Sequence, residues 1–152
     1  MKLARVELQH YCVTALSLTA NRSYDAQKSI DARLADLKVE PQLMADGKDS
    51  RHWQVTMKIT YRPGPDANVP YHFSLEVVGK FQVAQAVKTE KAQWLVETNA
   101  TAVLYSTARE FLRSVMANGP YKPMLLPTVS FYEPQPSRAA VVAEPDAKYK
   151  TQ

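Results

Sequence analysis

The chain has 152 residues, 45% hydrophobic and 22% charged, with one cysteine, a balance that describes a single globular domain and excludes a disordered, fibrous or disulfide-framed chain. Its 19 basic and 15 acidic residues leave a net charge of +4, too mild and too evenly spread for a nucleic-acid or membrane patch. No run approaches the ~18 apolar residues of a membrane span, and Arg5, Glu7, Gln9 and His10 ahead of the apolar stretch 11–20 argue against a signal peptide, so a reducing cytoplasm is the expected compartment.

Residues 6–18 read as a strand, with Val6, Leu8, Cys12, Leu16 and Leu18 on one parity and Arg5, Glu7, Gln9, Ser17 and Thr19 near or on the other. On this reading Cys12 is a buried thiol, and Tyr11, Val13 and Ala15 form a second face too apolar for a solvated edge. Residues 30–39 read as a weaker strand with a bulge near Ala35, ended by Pro41. Trp53, Val55, Met57, Ile59 and Tyr61 alternate with polar residues, and Tyr71, Phe73, Leu75, Val77, Phe81 and Val83 repeat that parity after a loop with three prolines, residues 62–70. This pattern predicts a long antiparallel hairpin, with a bulge or bend at Gly79. The period then changes. A short helix or turn over 90–96, carrying Trp94, precedes an amphipathic helix over 102–118, where Leu104, Ala108, Phe111, Leu112, Val115 and Met116 share a stripe and Gly119-Pro120 stops the helix. The predicted class is α+β, a four-stranded antiparallel sheet with one long helix packed on it. Residues 1–131 form the domain, and the proline-containing segment 132–152 is expected to be a flexible tail.

The sequence carries little chemistry. His10, His52 and His72 have no second His or Cys at metal-ligand spacing, Glu76 and Glu97 read as solvated carboxylates, and Cys12 lacks an evident base. With only Gly47, Gly64, Gly79 and Gly119, no phosphate-cradling loop can be written. An enzyme, a cofactor and a metal site are therefore not expected. What stands out is eight tyrosines, five methionines and two tryptophans in a domain whose single long helix covers only part of a sheet, so that apolar surface is left for a partner.

The helix and the segment after it read Leu104-Tyr105, Ala108-Arg109-Glu110, Gly119-Pro120-Tyr121-Lys122-Pro123 and Val129-Ser130-Phe131, preceded by Leu75-Glu76-Val77 and Gly79-Lys80-Phe81. Over about residues 5–131 this resembles SecB, the bacterial export chaperone, with its Ala-Arg-Glu helix, Gly-x-Phe-Pro-Pro turn and Pro-Val-Asn-Phe ending. The resemblance implies an ATP-independent holdase, a dimer of dimers that binds unfolded polypeptide in apolar grooves between sheet and helix. It implies groove residues Leu37, Val39, Trp53 and Val55 with Trp94 and Tyr121 at the rim, and an oligomer interface using Tyr11, Val13, Ala15, Leu104, Ala108 and Phe111. The positions at which the family presents carboxylates to the SecA motor are here Ala15, Thr19 and Gln54. SecA is therefore a doubtful partner, and a dedicated client competes with general export. The alternative reading is an assembly module that self-associates or binds one folded partner.

Overall fold

The computed structural model describes residues 1–132; the expected tail lies outside the described residues, apart from Tyr132. Strands β1 (Val6–Ala20), β2 (Leu37–Asp46), β3 (Asp49–Tyr61) and β4 (Tyr71–Val83) form one antiparallel sheet in the order β1-β4-β3-β2. Helix α1 (Thr89–Leu95) runs through a π turn, Val96–Ala100, into α2 (Thr101–Met116). The two predicted helices are thus one continuous rod. Thr98 and Thr101 are buried at the π turn, and their hydroxyls donate to main-chain carbonyls one turn back, those of Trp94 and Glu97.

The β3–β4 hairpin is the part that alternation predicts best. Val55, Met57, Ile59 and Tyr61 face the helix opposite Gly79, Val77, Leu75 and Phe73, and all are buried. Each such side chain contributes roughly 1.5–3 kcal/mol on leaving water. Below them Leu104, Ala108, Leu112 and Met116 close the core. Gly79 is no bulge: it pairs in register with Tyr11 and Val55. Its role is clearance, because a Cβ there would stand 2.7 Å from Phe81 Cε2 and 3.0 Å from Leu104 Cδ1.

The bulges lie in β1 instead. The register against β4 shifts between Leu8 and His10 and again between Val13 and Ala15. Each extra residue turns the chain over by one position. Residues paired across a ladder share a face, so Val6, Leu8, Tyr11, Val13, Leu16 and Leu18 lie with the helix, while Cys12 and Ala15 lie on the opposite face. Cys12 is exposed, not buried. Tyr11, Val13 and Ala15 are likewise not one face, because the second bulge separates Ala15 from the other two.

The expected strand over 30–39 is also corrected. Residues 30–33 are irregular, Leu34–Asp36 form a 3-10 turn, and β2 starts only at Leu37. The backbone of this stretch is taken up elsewhere: the Asn68 amide donates to the carbonyls of Asp25 (3.1 Å) and Ser29 (3.0 Å) and accepts the Asp25 N–H (2.9 Å), and the Asp31 N–H bonds the Asn68 carbonyl at 3.0 Å. β1 and β2 lie on opposite edges, so their connection must cross the end of the sheet, where the β3–β4 loop holds it. Pro41 does not end β2. It pairs with Met57 without a register shift, which a residue lacking an N–H allows on an edge strand with its nitrogen turned to the open side.

Gly79→Ala is expected to lower stability by about 1–3 kcal/mol through overpacking, read as a lower midpoint of chemical denaturation at unchanged slope.

Candidate functional site

After α2 the chain turns at Gly119-Pro120 and runs back along the helix. Tyr105 Oη donates to the Pro127 carbonyl (2.7 Å), Arg109 Nη1 donates to Thr128 Oγ1 (3.0 Å), Phe131 meets Tyr105 edge-on at 5.9 Å, and Tyr132 meets Trp94 at 6.0 Å. The start of this return is fixed by one hydroxyl. Tyr71 Oη donates to the Tyr121 carbonyl at 2.8 Å, with the Met116 carbonyl 3.3 Å away, and accepts the Tyr121 N–H at 2.9 Å. A Cβ on Gly119 would lie 2.4 Å from that oxygen, so only glycine lets the turn approach so closely. Tyr121 in turn packs edge-on against Tyr24 of the β1–β2 connection, ring centres 5.0 Å apart. Two irregular segments far apart in sequence are thereby tied to one another.

Between them opens an apolar cleft of about 310 Å³. One wall is the β1–β2 connection, with Leu34, and the first residue of β2, Leu37; the other is the return segment Met124–Pro127; the floor is the stacked pair Tyr61 and Phe73, 5.5 Å apart. Leu34 is 69% exposed and Leu125 75%, one on each wall. The polar elements are few. Arg33 is held by Asp31 at 3.3 Å. Burial, and then the carboxylates of Asp36 and Asp31, push the Tyr61 phenol above its ordinary pKa, so it keeps its proton. A concave apolar site with few polar groups suits a hydrophobic segment better than a polar metabolite.

The six expected groove residues are dispersed. Leu37 lines the cleft. Val39 and Trp53 are half-buried on the helix side of β2 and β3. Tyr121 is in the aromatic cluster that ties the walls, and Trp94 lies in a second cleft of about 830 Å³ with Arg5, Lys88, Lys91 and Tyr132. Val55 is 0% exposed and belongs to the core, because the helix seals it. Alternation placed these residues on the helix side of the sheet, where the structure has them, but could not locate the end that stays open. Leu34, Tyr61, Phe73 and 124–127 were missed, although the non-periodic apolar run Met-Leu-Leu-Pro after a helix stop was a signal. Of the expected interface residues, Leu104 and Ala108 are buried within the chain, and Phe111 is half-buried.

The other face of the sheet is open. Lys38, Lys58 and Lys80 on it are balanced by Glu7, Glu40 and Glu76, with Glu40, Lys58 and Glu76 side by side in one row. Ala15, Thr19 and Gln54 lie there too: Ala15 pairs with Glu76, Thr19 with His72, and Gln54 accepts from Lys80 Nζ. Among the described residues no three His, Cys, Asp or Glu side chains gather as a metal site would require, and no helix is long and apolar enough to cross a membrane.

Tyr71→Phe removes the bonds that fix the return segment; a loss of about 1–3 kcal/mol is expected, together with faster amide exchange at Tyr121, which hydrogen-exchange mass spectrometry would resolve.

A model of the SecB family, described as preprotein translocase subunit SecB, matches residues 2–134. No curated protein matches the sequence. Among solved structures, the Mycobacterium tuberculosis Rv1957 SecB-like chaperone, in complex with a ChAD peptide from the Rv1956 HigA1 antitoxin, is similar with a TM-score of 0.64 at 16% identity, covering 83% of this chain and 91% of that one.

Proposed function

The chain belongs to the SecB family, and from that premise we propose that it is an ATP-independent holdase whose apolar cleft between the β1–β2 connection and the return segment takes side chains of unfolded polypeptide. One observation carries this reading: two large leucines, Leu34 and Leu125, stand mostly exposed on facing walls above an aromatic floor. Exposed apolar surface of that kind is costly unless something covers it part of the time. The relative's complex with an antitoxin peptide supports a polypeptide as that cover and fits a dedicated client. The neutral open face, with Ala15, Thr19 and Gln54 in place of carboxylates, supports a chaperone working without SecA. Charge-assisted pairs contribute ~1.5–3 kcal/mol each, and Ala15, Thr19 and Gln54 carry no carboxylate to accept them.

Dilution of a chemically denatured protein into buffer, followed by light scattering, is the direct test. Stoichiometric wild type should suppress aggregation, and Leu34→Asp with Leu125→Asp should suppress far less while melting normally, because both positions are solvent-facing. Wild type that leaves the scattering unchanged overturns the holdase reading. SecA titrated at physiological salt should give no submicromolar complex, and finding one would overturn the claim of independence.

We also propose that the chain is a homo-oligomer, a dimer of dimers. On the helix side of β1, Tyr11 and Leu16 remain 42% and 43% exposed, and Val103 on α2 remains 42% exposed. The outer edge of β1, a 15-residue strand, is unpaired among the described residues. Light-scattering mass at micromolar concentration should exceed that of one chain and fall toward it in Leu16→Glu. A strictly monomeric wild type contradicts the proposal.

A further inference from the structure

We propose that the outer edge of β2 over Leu37–Val39 pairs with the main chain of a short extended client segment, and that Pro41 fixes where this pairing ends. This deepens the holdase reading and rests on it. The direction of the edge groups follows from the ladders. The Ala84 N–H bonds the Arg5 carbonyl at 2.9 Å and the Asn21 N–H bonds the Pro70 carbonyl at 2.8 Å, so at both ends of β4 the even-numbered residues bond toward β1. Successive residues of an antiparallel strand bond to opposite sides. The β4–β3 register does not shift, and the β3–β2 register does not shift between Leu37 and Ala45. Even-numbered residues of β3 therefore bond to β2, and the odd-numbered residues of β2 turn their main-chain groups outward. Pro41, with no N–H to offer, falls in that outward set.

On the side of Pro41 that adjoins the cleft, the outward groups are the carbonyls of Leu37, Val39 and Pro41 and the N–H of Val39; the Leu37 N–H is taken by the Leu34 carbonyl. Among the described residues nothing bonds these four groups, and β2 is the last strand of the sheet. An extended chain laid antiparallel against them meets a donor and an acceptor at Val39 and one acceptor on either side. Residues paired across a ladder share a face. Client residues bonded to Leu37 and Val39 thus send their side chains to the helix side, where Leu37 lines the apolar cleft and Val39 is half-buried. The client residue between them points to the open face, beside the exposed Lys38 and Glu40. Opposite Pro41 a client carbonyl finds a ring in place of a donor, and the pairing stops. The edge therefore selects an apolar–polar–apolar segment in extended form, which a folded protein, its main-chain groups already bonded, does not supply. A second copy fits the same edge poorly. β2 runs from Leu37 to Asp46, so a two-fold pairing of two such strands about their centres brings both prolines beside the axis.

The probe is a capped, fluorescently labelled peptide, Gly-Ser-Leu-Ser-Leu-Ser-Gly-Lys, read by anisotropy, with versions N-methylated singly at each leucine and at the serine between them. With the leucines on the helix side, their N–H groups bond the edge and that of the serine faces away. Methylation of either leucine should weaken binding to wild type about tenfold, and methylation of the serine by less than about twofold. Val39→Pro removes the outward N–H and leaves the ladder with β3 intact, as Pro41 does. It should weaken the parent peptide roughly three- to tenfold, whereas Val39→Ala, which trims the side chain and keeps the N–H, should retain the alternating methylation profile. Pro41→Val, which supplies a further donor, should bind the parent peptide more tightly than wild type. The methylation profile is read on wild type and does not depend on any variant folding. Equal effects at all three methylated positions, no binding of the parent peptide, or a folded Val39→Pro that binds like wild type overturns the proposal. If Val39→Pro lowers the oligomer mass and leaves peptide affinity unchanged, the edge is an interface between copies and the proposal likewise falls. Leu34→Asp separates the two layers of the argument. If it abolishes peptide binding while the methylation profile is flat, only the main-chain pairing falls; if it binds like wild type, the cleft reading itself falls.

Discussion

How closely one helix can approach one sheet governs everything on the helix side of this protein. At Gly79 the sheet presents no side chain, and Leu104 and Phe81 fill the space where a Cβ would stand. The helix therefore settles over β3 and β4, the two central strands, and seals Val55, Met57 and Ile59 completely. Centred there, it cannot also cover both edge strands. On the β2 side the deficit is met in part by the return segment after α2 and by the β1–β2 connection. The cleft is the space those two irregular segments leave between them.

This arrangement separates what must be rigid from what must be open. The walls have no regular secondary structure of their own to stiffen them, apart from the single turn Leu34–Asp36. They hang instead on a few polar and aromatic fixings: the Tyr71 hydroxyl, the Tyr121–Tyr24 contact, the Tyr105 bond to Pro127 and the amide of Asn68. Every one of these donors or rings belongs to a strand, the helix, or a loop bonded to them. The leucines that protrude between the fixings are free of them. An apolar surface is thus held in place by interactions that do not themselves consume it.

The hairpin strands and α2 were legible because each keeps one period over its own length, so the apolar positions 53–61, 71–83 and 104–116 declare their faces directly, whereas the π turn ahead of α2 split the rod into two predicted helices. β1 was legible as a strand but not as a surface. Its two bulges fall at Gln9 and Thr14, residue types that mark nothing, and each inverts the parity that the reading relied on. β2 was hidden by Pro41, which ends a strand in most settings and is tolerated here because the strand is an edge. The cleft was least legible. Its walls come from Leu34 and Leu125, whose proximity depends on the path of two irregular segments, and no local pattern encodes that path. The family resemblance implies a groove on the helix side of the sheet, while the residues at the open end of the cleft could be named only from the structure.

Pro41 has a second consequence at the outer rim of β2. An edge strand ten residues long offers a row of unsatisfied main-chain groups onto which another extended chain can zip, and the first added strand then templates the next, the route by which sheets grow into fibres. With a proline ring in the middle of that row, any added strand loses a bond and meets the ring at its centre, so only short stretches on either side remain available. For a protein that meets chains before they have folded, this is protection against being recruited as a seed. The interruption lies outside the ladder with β3, so the sheet itself loses none of its pairing.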